Sequence, residues 1–107
     1  MAKLKKKKDK TKLGFSKVEV LGHHFDIIET DKDDVLLDGS RNVALGFIKY
    51  FEGIIVIDSR QSVESMTQTF YHELLHAIDF ILHNEQMTYD EETVNVLARG
   101  LNTVRLT

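Results

Sequence analysis

The apolar positions change period halfway along the chain. From Phe15 to Leu21 they alternate, with Val18 and Val20 on one side of a strand and Lys17 and Glu19 on the other. Gly22 interrupts the alternation, and Phe25-Asp26-Ile27-Ile28-Glu29 resumes strand-like composition, so the two runs read as a hairpin or a bent strand pair. Thr30 to Asp34 is polar and acidic and reads as a loop. Val35 to Asn42 is ambiguous and ends in the turn-rich Asp38-Gly39-Ser40. Val43 to Phe51 is a second β segment. Glu52-Gly53 turns it into Ile54-Ile55-Val56-Ile57-Asp58, an almost wholly apolar, β-branched run suited to a well-covered strand.

From Val63 onward apolar residues fall at 63, 66, 70, 74, 77, 78 and 81. That is one face of a helix, with Ser62 as its N-cap and an end near Leu82. His83-Asn84-Glu85-Gln86 breaks the pattern. A last helix from about Asp90 to Val104 sets Val94, Leu97, Ala98 and Leu101 on one face. The pattern predicts an α+β domain, a small antiparallel β-sheet followed by two helices. The 107 residues suffice for a single core.

Charge divides the chain. Residues 1–12 hold seven Lys against Asp9, a net +6, while residues 13–107 carry −9, together the formal −3. We read residues 1–12 as a basic, flexible, solvated leader and 13–107 as the folded domain. The leader lacks interleaved aromatic residues and the body adds no basic surface, so nucleic acid is not an expected partner except through the leader, which leaves a nucleic-acid-associated protein as a third reading. No apolar run reaches the roughly 18 residues of a membrane span, and no hydrophobic stretch follows the basic N-terminus as in a secretory signal. With no cysteine there is neither a disulfide framework nor a thiolate metal site. These features point to a cytoplasmic protein in which His, Asp or Glu must hold any metal.

The predicted helix 63–82 carries His72-Glu73-Leu74-Leu75-His76. Residues four apart share a helix face, so the imidazoles of His72 and His76 can converge on one tetrahedral ion. Glu73, beside the first histidine, can reach a water on that ion without ligating it. Zinc brings the pKa of such a water to about 7, and the carboxylate takes its proton as the oxygen attacks a carbonyl. A catalytic zinc wants a third protein ligand and an open fourth position. His83 follows His72 by eleven residues, one too many for the extended motif His-Glu-x-x-His-x-x-Gly-x-x-His, and Asp79 stands where that motif has Gly. The next helix opens with Asp90-Glu91-Glu92-Thr93-Val94-Asn95-Val96-Leu97-Ala98.

Glu91-x-x-Val94-Asn95-x-Leu97-Ala98 resembles the second-helix signature of the Glu-zincins, and is most similar to that of ImmA/IrrE-type metallopeptidases and small phage-borne relatives. The likeness covers roughly residues 54–101. It implies a minimal zincin-like fold and one zinc ion per chain, held by His72, His76 and Glu91, with Glu73 as general base. Asn95 would orient a ligand histidine. It further implies an endopeptidase whose substrate is a protein or peptide, a transcriptional regulator among the candidates. Glu92 competes with Glu91 for the third ligand position.

Weaker candidates surround this constellation. Asp79 can hydrogen-bond a ligand histidine or stand as a solvated helix acid. His23-His24 reads as surface histidine on a turn. Tyr71, Tyr89, His83 and Arg99 can each donate to an oxyanion, with packing or surface roles as the plainer reading. An edge strand can align a peptide by pairing, either strand 54–57 or, if that one is central, strand 43–51. The chain's small size and the lack of a helix-turn-helix region motivate a second reading, a non-catalytic zincin-like interaction module from a phage or mobile element. Glu73 argues against it, since a structural zinc site needs no base.

Overall fold

The alternating segments at the start of the chain form the predicted hairpin. In a computed structural model, which describes residues 11–36 and 45–105, β1 (Lys17–Val20) and β2 (His23–Thr30) pair antiparallel with Val18 opposite Phe25 and Val20 opposite His23. The loop is the two residues Leu21 and Gly22, at φ 51° and 85°. Positive φ at both central positions is the turn whose twist matches that of paired strands. One helical turn, α1 (Asp33–Leu36), spans the end of the expected loop and the start of the ambiguous segment; the Lys32 carbonyl accepts from the amides of Val35 and Leu36, and Leu36 is wholly buried.

β3 (Gly46–Lys49) and β4 (Ile54–Asp58) form the second hairpin, with Phe47 opposite Val56. β3 is shorter than the expected 43–51, of which residues 43 and 44 lie outside the described residues. The sheet order is β1-β2-β4-β3. Its outer pairings are antiparallel as predicted, but the central one is parallel, with Ile27 beside Ile55. The chain leaving β2 crosses to the far edge before β3, and the return hairpin brings β4 inward. Periodicity records which face a residue takes, not which strand lies beside it. β4 is thus central, which explains its burial from Ile55 to Asp58, and β3 is the edge.

α2 (Val63–Leu82) lies on this sheet. Ser62 caps it as predicted, its side chain accepting from the Ser65 amide at 3.1 Å. Met66, Phe70 and Ala77 meet Phe25, Ile27, Ile55 and Ile57 in the core. Each of the larger side chains taken from water contributes about 1.5–3 kcal/mol. α3 (Glu91–Asn102) packs on a second face of α2, where Leu75 meets Val94 and Ala98. The apolar part of that contact is small. Leu97 and Leu101, assigned by periodicity to the same face, stay 43% and 38% exposed.

Of the predicted leader, residues 1–10 lie outside the described residues. Lys12 is tied to the body: its amide donates to Glu29 Oε1 and its Nζ to the carbonyls of Ser59 and Gln61.

β3 passes close to α2 at Gly46. A β-carbon there would lie 2.5 Å from Thr69 Cγ2 and 2.9 Å from the Val56 carbonyl oxygen, which is backbone and cannot swing aside. Gly46→Ala should therefore lower stability by about 1–3 kcal/mol, as overpacking does, with a matching fall in melting temperature. A variant as stable as the wild type would show that β3 does not approach the helix this closely.

Candidate metal centre

Four-residue spacing on α2 sets His72 above His76, with their Nε2 atoms 3.2 Å apart. The first residue of α3 completes the group. Glu91 reaches His72 Nε2 through Oε1 and His76 Nε2 through Oε2, both at 3.0 Å. Two ligand atoms at about 2.0–2.1 Å from one ion and at the tetrahedral angle lie about 3.3 Å apart. The two imidazole nitrogens stand close to that separation and a different Glu91 oxygen lies 3.0 Å from each, so His72, His76 and Glu91 form a group that can hold a metal ion, with one ligand atom from each within 4.8 Å of the others. With protons in place of a cation, the same contacts are ion pairs and a shared hydrogen bond.

The three side chains differ in exposure. His76 is 9% exposed, His72 20% and Glu91 70%, so the group is closed on the sheet side and open to solvent on the α3 side. Burial, more than any neighbouring charge, lowers the pKa of His76 and keeps the imidazole neutral, as a ligand must be. Glu73 lies inside the helix packing at 7% exposure. Burial first, and then the Glu91 charge, raise its carboxyl to about 7. A cation held by the triad would act in the opposite direction. Glu73 and His72 line a cavity of about 340 Å³ with Gly46 from the edge strand and Asn95 from α3.

The position of Glu91 depends on the short link between the helices. α2 ends in two residues with left-handed backbone, Asn84 and Glu85 (φ 55° and 67°), and the Glu85 amide donates back to the Phe80 carbonyl at 2.7 Å. The link then folds over the Asp79 carboxylate, which is wholly buried. Asp79 accepts from the amides of Thr88 and Tyr89 at 2.8 and 2.9 Å, from the Thr88 hydroxyl at 2.6 Å and from His83 Nδ1 at 2.7 Å. Burial alone would raise its pKa, but these donors outweigh it and hold the carboxyl at about 2. Asp90 directly follows and caps α3, accepting from the Thr93 amide at 2.7 Å. Glu91 is then delivered to the two histidines.

Several candidates take other places. Asp79 is neither a solvated acid nor a partner of a ligand histidine; it clamps the link. His83 is bound to Asp79 and stands outside the triad. Glu92 lies on a different side of α3, with Asp90 and Val96. Asn95 borders the cavity but, among the described residues, bonds neither histidine, and His76 Nδ1 is buried without a partner. The expected orienting role of Asn95 is therefore not met: the residue is exposed on α3 and Nδ1 points into packing. His23 and His24 sit at the start of β2, outside the triad. Tyr71 packs between the two cores. Tyr89 faces the His83 ring at 6.0 Å. Arg99 lines an adjoining hollow further along α3.

Tyr50, just past β3, was not singled out from sequence, where nothing distinguishes it from other aromatic residues. Its ring stacks on Phe80 at 4.0 Å and its hydroxyl donates to Met87 Sδ at 3.4 Å. Burial, followed by the charges of Glu73, Asp79 and Glu91, raises its pKa, so the phenol stays protonated and feels the field of the site.

Comparison with family models, with curated proteins and with solved structures finds no match to this chain.

Two outcomes follow from this geometry. Glu91→Ala should weaken binding of zinc, used as the probe ion in competition with a chromophoric chelator, by an order of magnitude or more, while Glu92→Ala leaves it unchanged. The reverse ranking would move the third ligand by one residue. Asp79→Ala strands two amides and should cost about 2–3 kcal/mol, roughly 10–20 °C in melting temperature, and should also weaken zinc binding by loosening Glu91. Because the Asp79 pKa is depressed from 3.8 to about 2, its stabilisation is complete above pH 4 and lost as the pH falls toward 2. Over that interval the wild type should lose more stability than the Ala variant. Equal losses in acid titration would contradict the clamp.

Proposed function

We propose that this protein is a zinc-dependent metallopeptidase, an endopeptidase acting on a protein or peptide substrate. The observation that carries the reading is the convergence of His72, His76 and Glu91 beside the buried carboxylate of Glu73, which belongs to none of the three contacts. Two imidazoles and one carboxylate suit zinc, and three protein ligands leave a position open. Zinc, when bound there, supplies a Lewis acid that polarises a carbonyl and brings a coordinated water toward neutral pKa.

The chain's own residues do the rest. Glu73, buried beside the triad, accepts a proton on its carboxylate and can return it to the departing amine. The site lies beside β3, the sheet edge, which pairs with β4 on one side only among the described residues. An extended peptide can add to that edge and lie along α2 with its scissile bond near the triad. The sequence left this role between two strands, and the edge position of β3 supports that strand.

Glu73→Gln is the deciding variant. It should keep fold and zinc, because Gln is nearly isosteric and Glu73 is not a ligand, yet lose about 10²–10⁴-fold in hydrolysis. The assay is cleavage of a peptide library, with activity abolished by chelator and restored by zinc to discount contaminating peptidase. Hydrolysis by the Gln variant at wild-type rate would sink the mechanism. A wild type that binds a partner stably and never cuts it would mark a non-catalytic module.

A further inference from the structure

The cavity beside His72 and Glu73 does not end there. It shares Ser65, Gln68 and Asn95 with a larger hollow of about 830 Å³ between the start of α2 and the end of α3. Asn102 closes part of it, its Nδ2 donating to the Glu64 carbonyl and to Gln68 Oε1 across the helix pair. Arg99 and Arg105 line this hollow. Residues 13–107 carry −9 with only seven basic residues. One of those, Arg60, is engaged by Asp58 and Asp33. Arg99, by contrast, makes no ion pair among the described residues. Arg105 is held locally, its Nη1 donating to the carbonyls of Asn102 and Val104.

We propose that this hollow is a carboxylate-recognising arm of the substrate cleft, in which Arg99, supported by Arg105, binds an acidic group of the peptide. The proposal deepens the peptidase reading, on which it rests for the identity of the bound chain as substrate. Glu91, Asn95 and Arg99 succeed one another at four-residue intervals on α3, so they follow one side of the helix. Eight residues at 1.5 Å rise span about 12 Å. An extended peptide covers that distance in three or four residues at about 3.3 Å each. The acidic group therefore lies about three or four residues from the scissile bond. A guanidinium fork suits a carboxylate because it donates two parallel hydrogen bonds. Glu64 also lines the hollow and opposes a bound carboxylate, tempering affinity while leaving the arginines as the attractive charge.

The test reads binding as well as cleavage. Twelve-residue neutral peptides with a neutral dye and an amidated C-terminus would each carry one Asp, walked along the sequence. A second set would lack Asp and keep the free C-terminal carboxylate. Anisotropy on the zinc-loaded full chain with Glu73→Gln measures affinity without turnover. One Asp register, or the free terminus, should bind about tenfold more tightly than the neutral peptide, and which set does so identifies the source of the carboxylate. Arg99→Gln should abolish that preference without changing affinity for the neutral peptide, Arg99→Lys should keep part of it, and Glu64→Gln should enlarge it. Equal binding of acidic and neutral peptides, an unaffected preference in Arg99→Gln, or binding of no peptide would overturn the proposal. Acid-selective binding by a wild type that cuts none of the peptides would instead remove the peptidase reading and leave the arm in place.

Discussion

A carboxylate taken wholly out of water needs donors to replace its hydration, and Asp79 finds four within a few residues of one short link. The exchange fixes the path of the chain between α2 and α3. Two left-handed residues reverse the direction, Thr88 and Tyr89 hang their amides on the carboxylate, and Asp90 starts the next helix at once. Nothing longer is needed to bring Glu91 over His72 and His76. The geometry of the candidate centre is thus set from one turn further along the helix that bears the histidines.

The same helix serves two partners. Its sheet side makes the main core with β2 and β4, and its other side meets α3 through Leu75, Val94 and Ala98. The apolar part of the second contact is small, and polar devices hold α3 at both ends: the Asp79 clamp and the Asp90 cap at the start, and the Asn102 bridge to α2 at the end. Glu73 is buried by this double coverage, and the desolvation that raises its pKa follows from the fold. A carboxyl on a helix with one face in water would not be tuned in this way.

Much of this was legible in the residues themselves. The change of period at Val63, the Ser62 cap, the Leu21-Gly22 hairpin and the four-residue spacing of His72 and His76 are local, and local signals survive folding. The choice of Glu91 over Glu92 drew on resemblance to other second helices, and the structure sets Glu91 against the histidines. What sequence did not reveal is non-local. Strand order does not appear in periodicity, so the parallel pairing of β2 with β4 was missed. Asp79 looked like a helix acid or a histidine partner because two of its four donors are main-chain amides nine and ten residues away, which carry no side-chain signature. Leu97 and Leu101 looked like core because periodicity cannot report how little of α3 its neighbour covers. Asn95, expected to steady a histidine, borders the cleft instead.

The central claim is that one zinc ion sits among His72, His76 and Glu91 with Glu73 beside it and not bound to it. The most direct measurement is anomalous diffraction at the zinc edge from crystals of the full chain carrying one equivalent of the metal. The account predicts a single peak within about 2.0–2.2 Å of both Nε2 atoms and a Glu91 oxygen, with the Glu73 carboxylate outside bonding distance. A peak elsewhere on the chain, no ordered peak, or Glu73 in place of Glu91 among the ligands would contradict it.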